Sequence, residues 1–269
     1  AEPAYGVMSY YVAAPSQVYD KKPVPLGHTP RLDRHARAGR YAFLEKCLRN
    51  GNRDALLAAV QRSGLSGCGG GNLPISTKWA ALQRTAGPRY LIVNALEGEP
   101  ETFKDRYLLN NYAATVVEGV GLAAWALEVH EAIIVINAGY TECFAPVQAA
   151  VDELQSRFGD ALRCKLVVMA GPDPELYIAG EETALIAYLE GRRAEPRDRP
   201  PHPTKSGLWG KPTVVHNVET LAWIPVVLGD ENHLERQPQP RLISLTGAVA
   251  RPGVYEAMLG ESLAEIIAK

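Results

Sequence analysis

Residues 89–94 of the 269-residue chain read RYLIVN, a short apolar run that is typical of a buried β-strand. Similar runs follow at residues 131–137 (EAIIVIN) and 164–170 (CKLVVMA). The segments between these runs, residues 107–129 and 141–158, are long enough and apolar enough to be helices. Strands and helices that alternate in this way predict an α/β fold with a parallel sheet and crossover helices.

The chain before the first strand contains an arm, helices and a glycine-rich loop. Residues 1–35 include five prolines, and we expect them to form an extended arm that lies on the body of the protein. Helices are predicted over residues 36–50 and 53–62, and a further helix over residues 77–84.

A different pattern begins after the third strand. A helix that ends at residue 189 and another over residues 216–227 flank a loop rich in arginine and proline, residues 192–203. Residues 241–248 begin a predicted β-hairpin, which a helix follows from residue 261. That last unit is too short to bury its own core and looks like half of a β-grasp domain. The expected divisions are an extended arm, a main α/β domain and a partial β-grasp unit, at residues 1–35, 36–230 and 240–269.

The composition argues against several classes of protein. The formal net charge is −2, and no run of Lys or Arg indicates a nucleic-acid partner. The most apolar stretch, residues 112–129, is interrupted by Glu118 and Glu128, so it predicts a buried helix and not a membrane span. Scattered cysteines without a C-x-x-C pair argue against a metal site, an iron–sulfur cluster or a disulfide framework in this chain, and favour a reducing, cytoplasmic location. The cysteines are Cys47, Cys68, Cys143 and Cys164.

Residues 64–79, GLSGCGGGNLPISTKW, place five glycines within eight positions. Such a loop can bring its backbone N–H groups close to an anion, and Lys78 would add a positive charge. The spacing is not that of the P-loop, because no Ser or Thr follows Lys78. Taken alone, the pattern favours a ligand loop and an ordinary flexible turn about equally.

Polar residues lie at the carboxyl end of the first predicted strand. Asn94 is the last residue of that strand, and Glu97 and Glu99 follow it, at the position where parallel α/β sheets bind ligands. Two carboxylates so close in sequence would repel each other unless they face the hydroxyl or amide groups of a ligand. A solvated acidic turn is an equally weighted alternative.

A second acidic pair, Glu181 and Glu182, follows Gly180 where a helix is predicted to begin. The helix dipole favours acids at this position and explains one of them, whereas the second suggests a binding site. The arginines of residues 192–203 form either a solvated face or an anion site. A lone loop histidine such as His202 is usually neither a ligand nor a base.

Four motifs and the tail of the chain together resemble one family. Residues 64–79 are similar to GLRGRGGAGFPTGLKW, and residues 93–102 (VNALEGEPET) to CNADESEPGT, with KDR following in both. Residues 179–193 (AGEETALIAYLEGRR) and 206–221 (SGLWGKPTVVHNVETL) are close to CGEETALINSLEGRR and SGLWGKPTVVNNVETL. Residues 245–256 look like the start of an SLBB (β-grasp) unit.

Over residues 40–269 the sequence therefore resembles the FMN-binding, 51-kDa-type subunit of NADH dehydrogenases such as respiratory complex I. Related modules occur in NAD-linked hydrogenases, formate dehydrogenases and Rnf-type proteins. The resemblance implies a Rossmann-like FMN domain followed by the start of the SLBB unit. It also implies hydride transfer from NADH to FMN and one-electron transfer to iron–sulfur redox subunits. The alternative is a divergent paralogue that has lost NADH oxidation and serves as a flavin- or nucleotide-binding or structural subunit.

The resemblance also implies roles for individual residues. Asn94 would contact the ribityl chain, Asn217 and Thr220 the phosphate end, and the acids after Gly180 the flavin ring and the nicotinamide. Glu97 and Glu182 are the expected catalytic residues, and substrate would be bound by Glu97, Glu99, Arg199 and His202. The expected cofactor-binding set is Gly64, Gly67, Gly69, Gly70, Lys78, Asn94, Gly180, Glu181, Glu182, Asn217 and Thr220.

This sequence departs from the family pattern at several positions. The loop arginines are replaced by Ser66 and Cys68, a loop glycine by Asn72, and the aromatic that would stack on the dinucleotide by Leu73. The aspartate of the second motif is Leu96. The family's C-terminal four-cysteine domain is not found within this sequence, so we expect no iron–sulfur cluster here.

Overall fold

The computed structural model describes residues 27–174, 176–230 and 239–268. Most of the predicted arm and most of the polar linker before residue 240 lie outside these residues. The elements, in chain order, are α1 (Pro30–Ala38), α2 (Ala42–Asn50), α3 (Arg53–Ser63), α4 (Ile75–Gln83), β1 (Arg89–Ala95), α5 (Lys104–Asn111), α6 (Ala113–Leu127), β2 (Val129–Ile136), α7 (Thr141–Leu162), β3 (Lys165–Ala170), α8 (Glu182–Leu189), β4 (Thr213–Asn217), α9 (Val218–Gly229), β5 (Pro240–Leu245), β6 (Gly253–Met258) and α10 (Leu263–Ala268).

The first four strands form a parallel sheet in the order β3-β2-β1-β4, which confirms the predicted fold class. The sequence does not predict β4, because a five-residue strand that runs directly into a helix offers too short a pattern. In the register of the sheet, Asn94 of β1 pairs with Asn217 of β4. The chain continues from β1 to β2 on one side while β4 lies on the other. The two asparagines therefore lie at a topological switch point, where open α/β sheets bind ligands.

Both faces of the sheet are buried, as expected for parallel strands. On one face, Leu91 and Val93 belong to the large core that also contains α6, α7 and α9. On the other face, Ile92 and Val215 pack with Leu185 of α8 in a smaller cluster. Helices thus cover both faces of the sheet. They do not cover the edge at which the strands end.

The end of the predicted arm is helical and not extended. Residues 30–35 form most of α1, because Pro30 occupies its first turn, where a missing N–H has no cost. The helix predicted over residues 36–50 is interrupted between α1 and α2. Gly39 and Tyr41 have φ angles of +119° and +60° there, which end one helix and start the next.

The long helix predicted over residues 107–129 is divided at Tyr112 into α5 and α6. Glu118 of α6, read in the sequence as an interruption, is 1% exposed. Its carboxylate accepts hydrogen bonds of 3.0 Å from the N–H groups of Phe43 and Leu44, at the start of α2, and lies 2.7 Å from His35 Nε2. In the described part of the chain, no helix is both long and apolar enough to cross a membrane.

The C-terminal unit is an antiparallel hairpin of β5 and β6 followed by α10, as the sequence predicts. It is bonded to the main domain at several points. The N–H of Leu242 donates to Glu219 Oε1 at 2.7 Å, and the Oγ of Ser244 accepts from the N–H of Phe103 at 3.0 Å. The hairpin therefore contacts α9 and the segment that begins α5.

Helices α6 and α9 cross at Gly119. A Cβ atom at this position would lie 2.0 Å from the carbonyl oxygen of Leu221, which is backbone and cannot rotate away. Because α9 carries Thr220 and is capped by Asn217, this close approach fixes the position of two predicted ligand residues relative to the core.

We predict that Gly119→Ala destabilises the fold by about 1–3 kcal/mol or more, because the added methyl forces α9 away from α6. The matched control is Gly159→Ala in α7, where a Cβ has open space around it. That substitution should leave stability unchanged or raise it by up to about 1 kcal/mol. Chemical denaturation of both variants tests this, and equal stabilities would contradict the close approach of α6 and α9 at Gly119.

His216 of β4 connects the sheet to α4. It is 4% exposed, and its Nε2 accepts a hydrogen bond of 2.8 Å from the indole N–H of Trp79. Because Nε2 is the acceptor, the neutral ring carries its proton on Nδ1. Burial and the nearby charge of Lys78 lower the pKa of His216 to about 3.

This lowered pKa predicts a dependence of stability on pH. Below about pH 6.5 the unfolded chain binds a proton at this histidine that the folded chain does not, so stability falls as pH decreases toward about 3. In His216→Asn, the slope of the unfolding free energy in this range should be smaller by up to about 1.4 kcal/mol per pH unit. Urea unfolding at several pH values measures the slope, and the exposed His130→Asn serves as the control. If both variants keep the parental slope, His216 is not buried in its neutral form.

Candidate functional site

An open cleft of about 750 Å³ lies at the carboxyl edge of the sheet, beyond the ends of β1 and β4. Its walls are the glycine-rich loop, α4, the turn before α8 and the loop that contains Arg199. Most of the residues predicted from the sequence as ligand contacts line it: Gly67, Gly69, Lys78, Asn94, Gly180, Glu181, Glu182, Arg199, His202, Asn217 and Thr220.

The glycine-rich loop is closed at its base and covers the start of α9. The N–H of Gly67 donates to the carbonyl of Leu73, and the N–H of Cys68 donates to Thr220 Oγ1, both at 2.9 Å. At Gly69 a Cβ would lie only 3.2 Å from the Cβ of Asn217. The loop backbone can approach the helix this closely because it has no side chain there.

The N-terminus of α9 points toward the cleft and is capped by Asn217, whose Oδ1 accepts from the N–H of Glu219 at 3.0 Å. Lys104 Nζ lies 3.3 Å from the same oxygen, 2.7 Å from Asp105 and 3.1 Å from Glu219. Burial alone would lower the pKa of Lys104, but the carboxylates of Asp105, Glu219 and Glu97 hold that pKa well above its usual value. Lys104 thus stays charged beside the helix N-terminus.

Sequence reasoning did not single out Lys104 or its neighbour Asp105. The side-chain amide of Asn217 donates to Asp105, so both residues of this pair contact the cap of α9. The KDR triplet that follows the second motif was the available signal, since it is shared with the family pattern.

Asn94 holds the turn before α8. Its Nδ2 donates to the carbonyl of Gly180 at 2.7 Å, and its Oδ1 accepts from the N–H of Leu96 at 3.0 Å. At Gly180 a Cβ would lie 3.2 Å from the carbonyl oxygen of Leu96. Gly180 therefore packs closely on the β1 loop, and the acids that follow it are carried into the cleft.

The two acids have different functions in the structure. Glu181 caps α8, because its Oε2 accepts from the N–H groups of Thr183 and Ala184 at 2.7 and 3.0 Å. Glu182 forms ion pairs with Lys78 at 2.8 Å and with Arg199 at 2.6 Å. The lining of the cleft thus contains a carboxylate, that of Glu182, paired with the positive charges of Lys78 and Arg199.

Four of the predicted site residues do not line this cleft. Gly64 ends α3 in the left-handed conformation, with φ of +62°, and Gly70, with φ of +94°, lies at the turn of the loop. Glu99 accepts a hydrogen bond from the hydroxyl of Tyr177, outside the cleft. Glu97 is the fourth residue that does not line the cleft.

Glu97, an expected catalytic residue, is 8% exposed and serves the start of α5. Its carboxylate accepts from the N–H groups of Asp105 and Arg106 at 3.1 and 3.3 Å and from the hydroxyl of Tyr140 at 3.1 Å. Burial and the nearby charge of Asp105 raise its pKa to about 7. The structure thus places Glu97 behind the cleft, where it contacts the helix that presents Lys104.

Comparison with known proteins identifies the family of the chain. The family described as the Nuo51 FMN-binding domain matches residues 60–226. A NADH-quinone oxidoreductase subunit of Aquifex aeolicus is 38% identical over 252 residues, which are 88% of this chain and 58% of that protein. The corresponding NADH-quinone oxidoreductase subunits of Mycobacterium tuberculosis and Escherichia coli are 39% and 35% identical, over 87% and 92% of this chain and 56% and 57% of their own lengths.

A solved structure is also similar. The NAD+-reducing [NiFe]-hydrogenase in its H2-reduced state contains a chain that matches 90% of this one with a TM-score of 0.84 and 36% identity, over 43% of that chain. The present chain spans somewhat more than half the length of the curated relatives that it matches. From its motifs, its fold and these matches, the chain belongs to the family of the Nuo51 FMN-binding domain.

Proposed function

We propose that the cleft binds FMN and that the chain is the flavin-binding part of an electron-transfer subunit that oxidises NADH. The observation that carries the proposal is the meeting of the glycine-rich loop, the N-terminus of α9 and Lys78 around one cleft at the switch point of the sheet. Family membership and the names of the relatives, which are NADH-quinone oxidoreductase subunits, support it.

The residues present fit such a cofactor. A volume of about 750 Å³ is within the usual range for sites that take small molecules and cofactors. A helix N-terminus beside backbone N–H groups suits a phosphate, and α9 offers one at Asn217 and Thr220. At Gly69 and Gly180, which pack closely on neighbouring residues, the backbone itself lines the cleft.

In this proposal Asn217 and Thr220 bind the phosphate side, Gly180 and Glu182 line the ring side, and Lys78, whose Nζ lies 2.8 Å from Glu182, adds a positive charge beside the flavin. When bound, FMN would accept a hydride from NADH and pass electrons singly to an iron–sulfur partner. Glu182 is held between Lys78 and Arg199, so the chain presents a carboxylate whose charge is offset and whose position is fixed. Of the expected catalytic acids, the proposal relies on Glu182, since Glu97 lies behind the cleft.

One observation favours a second candidate, a flavin-binding subunit that does not oxidise NADH. Leu73 lies at the mouth of the cleft and is 44% exposed, where the family pattern has an aromatic residue. An aromatic stacking pair contributes about 0.5–1.5 kcal/mol beyond buried area. Its replacement by leucine weakens the platform on which a dinucleotide base would stack.

We predict that the purified protein, reconstituted with FMN, is yellow and loses its visible flavin absorbance when NADH is added without oxygen. The measurement is an anaerobic absorbance titration with NADH. A protein that does not retain FMN would contradict the main proposal. Retention of FMN without bleaching would support the second candidate instead, and Leu73→Phe should then increase the affinity for NADH.

We also predict that Lys78→Gln weakens FMN binding by roughly 10- to 100-fold. A hydrogen bond to a charged group contributes about 1.5–3 kcal/mol, and each 1.4 kcal/mol corresponds to a factor of ten. Titration of the apoprotein by flavin fluorescence gives the dissociation constant. The matched control is Lys205→Gln, an exposed lysine in the loop beside the cleft. Equal losses in both variants would mean that overall charge, and not a contact from Lys78, determines affinity.

A further inference from the structure

A cluster of polar side chains joins the base of the glycine-rich loop to strand β5. It consists of Ser66 and Asn72 from the loop and Gln239 and Arg241 from the start of the hairpin, and we call it the loop clamp. Arg241 Nη2 donates to Ser66 Oγ at 2.7 Å and to Asn72 Oδ1 at 3.1 Å. The Oγ of Ser66 also lies 2.6 Å from Asn72 Oδ1.

Gln239 completes the loop clamp. Its Oε1 accepts from the N–H of Ser66 at 3.1 Å and lies 3.1 Å from Arg241 Nη2, and its Nε2 donates to the carbonyl of Gly64. The two hairpin residues therefore bond both the backbone and the side chains at the base of the loop.

The clamp acts at the position where the loop closes. Just beyond Ser66, the N–H of Gly67 donates to the carbonyl of Leu73, and between these two residues the loop forms a wall of the cleft. Asn72 has φ of +43°, in the left-handed region, which asparagine tolerates better than most residues. Its side chain, fixed by Arg241, holds this turn of the backbone.

Strand β5 also contacts helix α9, which lies next to the glycine-rich loop at the cleft. The residue after Arg241, Leu242, donates its N–H to Glu219 in the first turn of α9. A single strand thus sets the glycine-rich loop and the helix N-terminus relative to each other. Both elements line the proposed phosphate side of the cleft.

The clamp uses positions at which this chain departs from the family pattern. Ser66 stands where that pattern has an arginine, and Asn72 where it has a glycine. In this chain the guanidinium group at this part of the loop belongs to Arg241 of the hairpin, whereas the family pattern has an arginine in the loop itself.

We propose that Arg241 is a positioning residue for the ligand loop, which it holds in its binding conformation through Ser66 and Asn72. The inference rests on the proposed function for its effect on FMN, but the effect on the loop is independent of any ligand. Arg241 is not among the residues that line the cleft, so it acts through the loop and not by direct contact.

The test compares Arg241→Gln with Arg251→Gln, a variant of an exposed arginine in the turn of the same hairpin. Hydrogen–deuterium exchange of the ligand-free chain is followed on peptides that cover residues 64–74. We expect exchange there to be at least several-fold faster in Arg241→Gln than in the parent, and unchanged in Arg251→Gln. Arg241→Lys should restore part of the protection. Unchanged exchange in Arg241→Gln would overturn the inference, whatever FMN does.

Affinity for FMN provides the second measurement. Arg241→Gln should weaken binding about tenfold, mainly through faster dissociation, and Ser66→Ala should do the same from the loop side. In the double variant the two effects should not multiply, because both remove the same link. Multiplicative losses would mean that Arg241 acts by another route.

The two proposals fail in different ways. If the parent chain does not bind FMN, the proposed function fails while the exchange experiment still decides on the clamp. If the parent binds FMN and neither Arg241→Gln nor Ser66→Ala changes exchange or affinity, only the clamp fails. Should Arg241→Gln not fold, Ser66→Ala removes the bond from Arg241 to Ser66 Oγ without altering the hairpin, and its exchange decides the question.

Discussion

The buried carboxylate of Glu219 connects α9 to the hairpin and to the start of α5. It is 1% exposed, and it accepts from the indole of Trp223 at 3.0 Å and from the N–H of Leu242 at 2.7 Å, while Lys104 lies 3.1 Å away. A carboxylate taken out of water costs several kcal/mol unless donors and a counter-ion compensate. Here the donors come from α9 itself, from the hairpin and from the start of α5. The charge is therefore tolerated only when all three elements are in place.

This requirement also holds the residues around the cleft in one arrangement. Asn217 caps α9 and shares Lys104 with Glu219 and Asp105, so the end of the sheet, the start of α5 and the helix N-terminus are held in one network. Glu97 extends the network from behind by holding the start of α5. The two acids expected to be catalytic therefore differ in position. Glu182 faces the cleft, whereas Glu97 holds the start of α5, the helix that carries Lys104.

Much of the fold follows from local sequence, and much of the site does not. Apolar runs identify β1, β2 and β3 because strands buried on both faces are continuous in hydrophobicity, and the glycines and the acids after Gly180 are visible as motifs. Strand β4 is missed because it is short and joins α9 without a break. Glu97 lies behind the cleft and Glu182 lines it because different residues pack around each of them. The spacing of the two acids in the sequence does not predict these neighbours. The bond from Arg241 to Ser66 joins residues 175 positions apart, and no local pattern predicts it.

The contacts of the hairpin also bear on where the binding domain ends. The family match stops at residue 226, and the sequence suggests a boundary between residues 230 and 240. The bonds of Leu242 to Glu219 and of Arg241 to Ser66 cross that boundary and reach both the helix and the loop that line the cleft. Without the N–H of Leu242, the buried carboxylate of Glu219 would lose a donor, and a buried charge with an unmet hydrogen bond is more costly than a neutral group in the same place. The hydrogen-bonded unit that positions the walls of the cleft therefore includes β5, which contacts the glycine-rich loop and α9 from outside the cleft.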